Sequence, residues 1–241
     1  MGLAGYFVIL IVFVVVFTFE VIAPASGNDC DKRWQIYAGA ISAVQMAVTL
    51  AAGYLFNDWF AAHAVFQLNP GIPVFAAALL VFLVVSFIAY WWHRATHRFD
   101  LLWRVFHQLH HSPARIEALT AFYVHPFDGL AANILNVGVA FWLLGVCVDV
   151  AAIALVYAAV YNIYIHSDTR SPHWLRYIVQ RPEMHRIHHK AGHHANNYGL
   201  PIWDLLFGTF TNVSGADFPC GFEKAKEQQI KDMLLLRDIK G

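Results

Sequence analysis

Charge is what this sequence has least of. Only 13% of its 241 residues are Asp, Glu, Lys or Arg, against 59% that are hydrophobic. An average soluble domain carries roughly 25% charged residues, so this chain lacks the polar surface to coat a water-soluble globule. That excludes a soluble globular enzyme and a disordered chain. Lys+Arg and Asp+Glu are 16 each, and a chain without basic excess offers nucleic acid no electrostatic footprint. Cysteine is also scarce: Cys30, Cys147 and Cys220 are too few and too scattered for a disulfide framework or a zinc ribbon. The HExxH pattern of zinc proteases is missing. Internal repeats and low-complexity tracts are missing too.

What is abundant is apolar length. Five stretches approach or exceed the roughly 18–20 residues a helix needs to cross the bilayer core. They lie at about 3–23, 36–56, 72–92, 130–148 and 150–166, the last two parted only by a tight corner at Gly145–Asp149. Asn133, Asn136, Asn162, Gly138 and Ala158 mark faces turned toward other helices rather than lipid. The fold expected is therefore an all-α integral membrane protein of about five transmembrane helices, with a helical cap at one end. A four-span version follows if the first stretch is a cleaved signal peptide, since Ala23-Pro24-Ala25 resembles a cleavage site. The segment before that apolar run has no Lys or Arg, however, which a signal peptide normally needs.

Charge placement supplies an orientation. Lys32 and Arg33 follow the first span, and the other 14 basic residues lie between Arg94 and Lys240. An N-out, C-in arrangement of five spans puts all of them on the cytoplasmic side, as the positive-inside rule requires. Three parts are expected along the chain: 1–71 with two spans and an outer loop, 72–212 with the chemistry, and 213–241 as a polar cytoplasmic tail, helical from Glu223 to Leu236.

Histidine is in surplus. Of 14 histidines, 13 fall between positions 93 and 194. Three clusters stand out: His93-x-x-x-His97, His107-x-x-His110-His111 and His185-x-x-His188-His189. Positions i, i+3 and i+4 share one helix face, so each cluster is expected to aim its imidazoles at a common point. His166 ends the fifth stretch, one helical turn beyond Asn162, and an ionisable side chain at that depth is a functional candidate. His63 in the outer loop reads as incidental. His173, His193 and His194 read as surface or supporting residues in polar loops, and His125 as either a neighbour of the ligands or a structural turn.

So many neutral imidazoles converging from several helices exceed what one metal ion uses and imply two. Imidazole suits Zn, Cu, Fe and Ni alike, so ligand type alone does not choose among them. A ligating imidazole usually gives its other N–H to a carboxylate or carbonyl. Asp100, Asp128, Asp168, Glu183 and Asp204 are candidates for that role, each with the alternative of a solvated cytoplasmic carboxylate, and Asn162 is a candidate polar neighbour of the metal, one turn deeper than His166.

Taken together, these boxes resemble the membrane-bound fatty acid hydroxylase and sterol desaturase superfamily. Tyr90-Trp-Trp-His-Arg-Ala-Thr-His97 resembles its first box, Phe106-His-Gln-Leu-His-His-Ser112 the second and Pro182-Glu-Met-His-Arg-Ile-His-His189 the third. Asn197-Tyr198-Gly199 and the run from Trp203 and Asp204 to Phe210 are similar to its downstream signature. The resemblance covers about residues 72–212. It implies a non-haem di-iron oxygenase whose ligands are His93, His97, His107, His110, His111, His166, His185, His188 and His189, with His125, Asn162 and Asp204 as supporting residues. It implies two iron ions and dioxygen, with zinc an alternative occupant. A C–H bond of a membrane lipid would be hydroxylated, or in some members desaturated or a sterol methyl group oxidised.

The chain has no room for a haem or flavin region. Electrons would come from a separate carrier, a ferredoxin or small cytochrome with its NAD(P)H reductase. Arg94, Arg98, Arg104, Arg115, Arg176, Arg181 and Arg186 could dock an acidic carrier or meet anionic headgroups. A histidine-rich metal transporter is the competing class. Against it, the histidines cluster at one membrane face and the spans carry no midplane Asp or Glu.

Overall fold

The computed structural model describes residues 2–28, 31–192, 195–212 and 218–239. Among the described residues there is no β-strand, only an isolated bridge between Lys190 and Cys220. Three long helices come first: α1 Gly2–Ile22, α2 Lys32–Ala62 and α3 Val74–Arg98. The turn α4 Asp100–Leu102 runs into a π-helical segment Trp103–His107, followed by a 3-10 turn Ala118–Phe122. Then come α5 Pro126–Val137, continued by a second π-helical segment Gly138–Leu143, and α6 Val148–His166. Short helices complete the chain: a 3-10 turn His173–Tyr177, α7 Pro182–His188, α8 Pro201–Leu206, α9 Lys224–Glu227 and α10 Ile230–Leu234.

Among the described residues, four helices are long and apolar enough to cross a membrane: α1 from Ala4, α2, α3 and α6. They wear their apolar side chains outward. Phe7, Ile11, Val15, Leu55 and Phe75 are each at least 60% exposed, a surface that lipid tolerates and water does not. The fourth stretch, expected as a single span at 130–148, is built otherwise. Its α-helix starts early, where His125 caps α5 and Pro126 occupies the first turn, and it loosens at Gly138 into the π-helical segment. That segment ends against the loop between α2 and α3, where the amides of Val65, Phe66 and Leu68 donate to the carbonyls of Trp142, Leu143 and Leu144. The corner closes at Gly145, whose positive φ and contact with the Phe66 carbonyl leave no room for a Cβ.

Small residues let the helices approach closely. Ala77, Ala78 and Val81 of α3 meet Ala140 and Phe141 and then Ile153 and Ala154 of α6. At the other end Trp34 and Ala38 of α2 pack with Leu109, Tyr123, Met233 and Ile239. The C-terminal segment is thus folded back onto the second histidine box. It forms two short helices rather than one run from Glu223 to Leu236. The break turns Met233 into the core and Glu227 toward the Ala114 amide, which donates to its carboxylate.

One charged cluster locks the helices together at the histidine end. Glu20, fully buried in the last turns of α1, accepts from the amides of Ala118 and Asp168. Asp168 pairs with Arg186 at 2.7 Å and with Arg115 at 3.2 Å, and Ser26 donates to it through both amide and hydroxyl.

Candidate metal centre

The first box rides on α3, where one turn separates His93 from His97. The second follows the turn at Asp100. There the π-helical stretch, closed by the Gln108 amide donating to the Trp103 carbonyl, swings His107 inward. Such widened turns often occur where a site needs an extra residue. His166 ends α6. The third box is α7, opened by Pro182 at its first turn and capped by His189.

All nine histidines converge, and they sort into two groups. His93, His97, His107, His111 and His188 form one; His110, His166, His185 and His189 form the other. Within each, one ring nitrogen per residue lies within 4.8 Å of all the rest. The boxes do not each aim at a single point, as their spacing suggested. In both HxxHH boxes the i and i+4 members stay together and the i+3 member crosses to the other group. Helix geometry requires this: at about 100° per residue, i+4 lies about 40° to one side of i and i+3 about 60° to the other.

The nitrogens lie at ligand spacing. The Nε2 of His111 is 3.1 Å from that of His107 and 3.1 Å from that of His188. In the second group the Nε2 of His166 is 3.1 Å from that of His110 and 2.9 Å from that of His185, which is 3.2 Å from that of His189. Nitrogens bound at right angles to one ion, at about 2.1 Å each, stand about 3.0 Å apart.

Hydrogen bonds alone do not account for this array. The Nδ1–H groups of His93, His188 and His166 donate to the carbonyls of Tyr198, Asn196 and Asn162, at 2.7, 2.9 and 2.8 Å. Their Nε2 atoms are then bare lone pairs. That of His93 is buried with no partner, and that of His166 faces two other imidazole nitrogens. Lone pairs converging in a buried space fit a cation. Burial, followed by the neighbouring imidazoles, holds His107, His110, His111, His185, His188 and His189 well below the ordinary histidine range. They are neutral near pH 7, the form that binds metal.

The supporting residues act mostly through backbone. Asp204, fully buried, accepts from the amides of Tyr198 and Gly199 and from the Thr209 hydroxyl. It fixes the loop whose Tyr198 carbonyl holds His93. Asn196 and Asn197 both adopt positive φ, a conformation asparagine tolerates. The Asn197 side chain ties that loop to Met184 and Thr211. Asn162 contributes its carbonyl to His166 while its amide donates to Ala121. Asp128 lies 4.0 Å from His107, and burial pushes its carboxyl up to about 7.

The remaining candidates stand apart from the two groups. His125 caps α5, accepting from the Phe127 amide. Asp168 and Glu183 are held by arginines, and Asp100 is exposed. His63 stacks on Trp59 and His173 is exposed, while His193 and His194 lie outside the described residues. Arg181 and Arg186 are buried, and Arg115 is largely so with its guanidinium paired. They are therefore withdrawn from any docking face. The Glu20–Asp168–Arg186 cluster and the Asn196 carbonyl carry no local sequence signal.

Part of this chain is similar to several proteins of known name. An alkylglycerol monooxygenase of Xenopus tropicalis is 31% identical over 54% of this chain and 30% of its own length. The sphingolipid C4-hydroxylase sur2 of Schizosaccharomyces pombe is 26% identical over 58% and 49%. A very-long-chain aldehyde decarbonylase, GL1-5, of Oryza sativa subsp. indica is 28% identical over 64% and 27%. The chain thus spans less than half the length of each of these relatives. No solved structure matches it. The family model for fatty acid hydroxylase matches residues 78–209, a stretch that contains all nine clustered histidines. By that match over more than half of its length, the chain belongs to the fatty acid hydroxylase family.

Proposed function

We propose that the chain is an oxygen-dependent lipid hydroxylase and that its nine clustered histidines hold two iron ions. The sorting of nine imidazoles into a group of five and a group of four carries this reading. Five nitrogen donors exceed the four that zinc normally takes, whereas a six-coordinate ion accepts five and keeps a position open. An iron pair held by these histidines would supply dioxygen activation, so that one oxygen atom would enter a C–H bond of the lipid and the other leave as water, with two electrons and two protons from outside.

The protein's own residues do the rest. The carbonyls of Asn162, Asn196 and Tyr198 fix the tautomers of His166, His188 and His93, so that their Nε2 atoms face inward. Asp204 stiffens the Tyr198 loop. The Asp168–Arg186 pair ties α7 to the exit of α6. We take residues 72–212 as the catalytic unit and its histidine end as cytoplasmic, with the N-terminus outside, because the basic residues gather at that end. A lipid would then reach the site from the bilayer, and electrons would arrive from an aqueous carrier such as a ferredoxin or small cytochrome.

The test is metal analysis of the purified protein together with lipid mass spectrometry of cells with and without it. A lipid that gains one oxygen, lost in His110→Ala and His188→Ala, is the expected result. A lipid that loses two hydrogens would make it a desaturase. No lipid change, with altered metal uptake instead, would overturn the enzyme reading.

A further inference from the structure

A cavity of about 160 Å³ lies inside the apolar bundle, well away from the histidines. Leu155 in its wall is 11 residues from His166 on α6, about 16 Å along the helix axis. Polar groups on one side of it come from α2 and α5, through Thr49, Asn57, Asn133 and Asn136; Gly5 and Tyr6 of α1 form part of the other side.

Two of these amides are incompletely bonded. Asn133 is 92% buried, and its Nδ2 donates to the Thr49 carbonyl at 3.4 Å, which fixes which end of the amide is which. Its Oδ1 is buried without a partner, and so is that of Asn57. A buried acceptor left unmatched costs roughly 1–3 kcal/mol. The wall therefore favours a ligand that brings O–H donors. No Lys, Arg, Asp or Glu lines the cavity, so a carboxylate, phosphate or ammonium head would be buried without a counter-charge.

Size narrows the class further. A cavity near 150 Å³ holds a molecule about as large as benzene. This one admits a hydroxyl and the first few carbons behind it, and is too small for a fused polycycle such as a sterol. Gly5, Tyr6 and Asn57 are only partly buried, so a chain can trail from the cavity into the bilayer. From these features we propose that the cavity is a second lipid site, which takes the hydroxyl end of a linear long-chain alcohol, its single O–H donating to the unmatched Oδ1 of Asn133. The site stands independently of the reaction proposed for the histidines.

The test is photolabelling of the purified full chain in phosphatidylcholine nanodiscs. The probe is hexadecanol carrying a diazirine a few carbons from the hydroxyl, and labelled peptides are mapped by mass spectrometry. Labelling is expected within 49–57 or 133–141. Excess hexadecanol should suppress it, whereas hexadecane and hexadecanoate should not. Asn133→Leu should weaken labelling about tenfold. Gly53→Leu, which keeps Asn133 but projects a side chain from a glycine in the cavity wall, should weaken it likewise, with both variants retaining the wild-type melting transition. Equal competition by hexadecane, preferential competition by a sterol, or labelling elsewhere in a folded protein would overturn the proposal. Because the readout is binding, it stands or falls whatever the histidines hold.

Discussion

His111 and His189 lie face to face, ring centroids 4.1 Å apart and planes 15° from parallel, although they belong to different histidine groups. Each is the i+4 member of its box. The stack joins the two groups back to back, while His110 and His188 cross between them. Each HxxHH segment thus contributes to both groups, the second box from the end of the π-helical stretch and its following turn, the third from α7.

This arrangement predicts which losses are local. His166 contacts only members of the second group through its Nε2 and belongs to no box. If each group holds one ion, His166→Ala should lower bound metal from about two ions to about one per chain, because removing one of few donors cuts affinity steeply. Elemental analysis of the purified protein reads this directly. Retention of both ions would show that His166 is not a ligand; loss of both would show that the stack transmits the damage.

A second prediction concerns pH in the metal-free protein. Burial in the folded state holds His107, His110, His111, His185, His188 and His189 well below the ordinary histidine value of 6.5. Below pH 6.5 the unfolded chain therefore binds more protons than the folded one. Stability rises with pH in that window and falls on acidification, by up to about 1.4 kcal/mol per pH unit for each histidine involved. Melting temperatures of chelator-treated protein should drop steeply from pH 7 to pH 5 and stay nearly flat from pH 7 to pH 8. A flat profile across the acidic range would contradict neutral burial of these rings.

A third prediction tests support through backbone. Asp204 touches no histidine, yet three donors converge on it and fix the Tyr198 carbonyl that holds His93. Asp204→Asn keeps the shape but weakens that anchor. Metal affinity should fall about 10–100-fold, the range found when a ligand's supporting partner is lost. The loss should be confined to the group that contains His93. Competition with a calibrated chelator measures it, and an unchanged affinity would mean that the loop holds itself.

The buried ion pair gives a fourth. Arg186 is 1% exposed and Asp168 fully buried, so removing one partner strands the other charge. Asp168→Ala should destabilise the fold by about 3–5 kcal/mol, read as a shift in denaturation in detergent. A change below about 1 kcal/mol would indicate that Arg115 and Arg186 find water instead.

Much of this was legible in the sequence, and the limits are physical. Hydropathy gave α1, α2, α3 and α6, because burial in lipid leaves a continuous apolar run. Eight of the nine histidines showed themselves by local spacing, and His166 by its place at the end of an apolar stretch. What spacing concealed was the crossing of His110 and His188, since i+3 and i+4 share a broad face and differ only in the sense of rotation. Glu20 was also concealed: it meets Ala118 and Asp168 across 98 and 148 residues, a distance at which no local pattern survives. The Asn196 and Tyr198 carbonyls were hidden because any residue type supplies a carbonyl. The π-helical widening at Trp103–His107 likewise has no residue signature.

The last prediction concerns the aqueous face. Of the arginines near the boxes, Arg98 is exposed at the end of α3 and Arg176 is partly exposed on the turn after α6, whereas Arg181 and Arg186 are buried in ion pairs. If an acidic electron carrier docks there, Arg98→Glu and Arg176→Glu should slow turnover with that carrier, and the slowing should shrink at high salt as screening removes the attraction. Metal content should not change. Anchoring to anionic headgroups predicts the opposite pattern, with carrier kinetics intact and binding to anionic vesicles reduced. Measuring both on the same variants separates the two roles, because only docking makes the rate depend on carrier concentration.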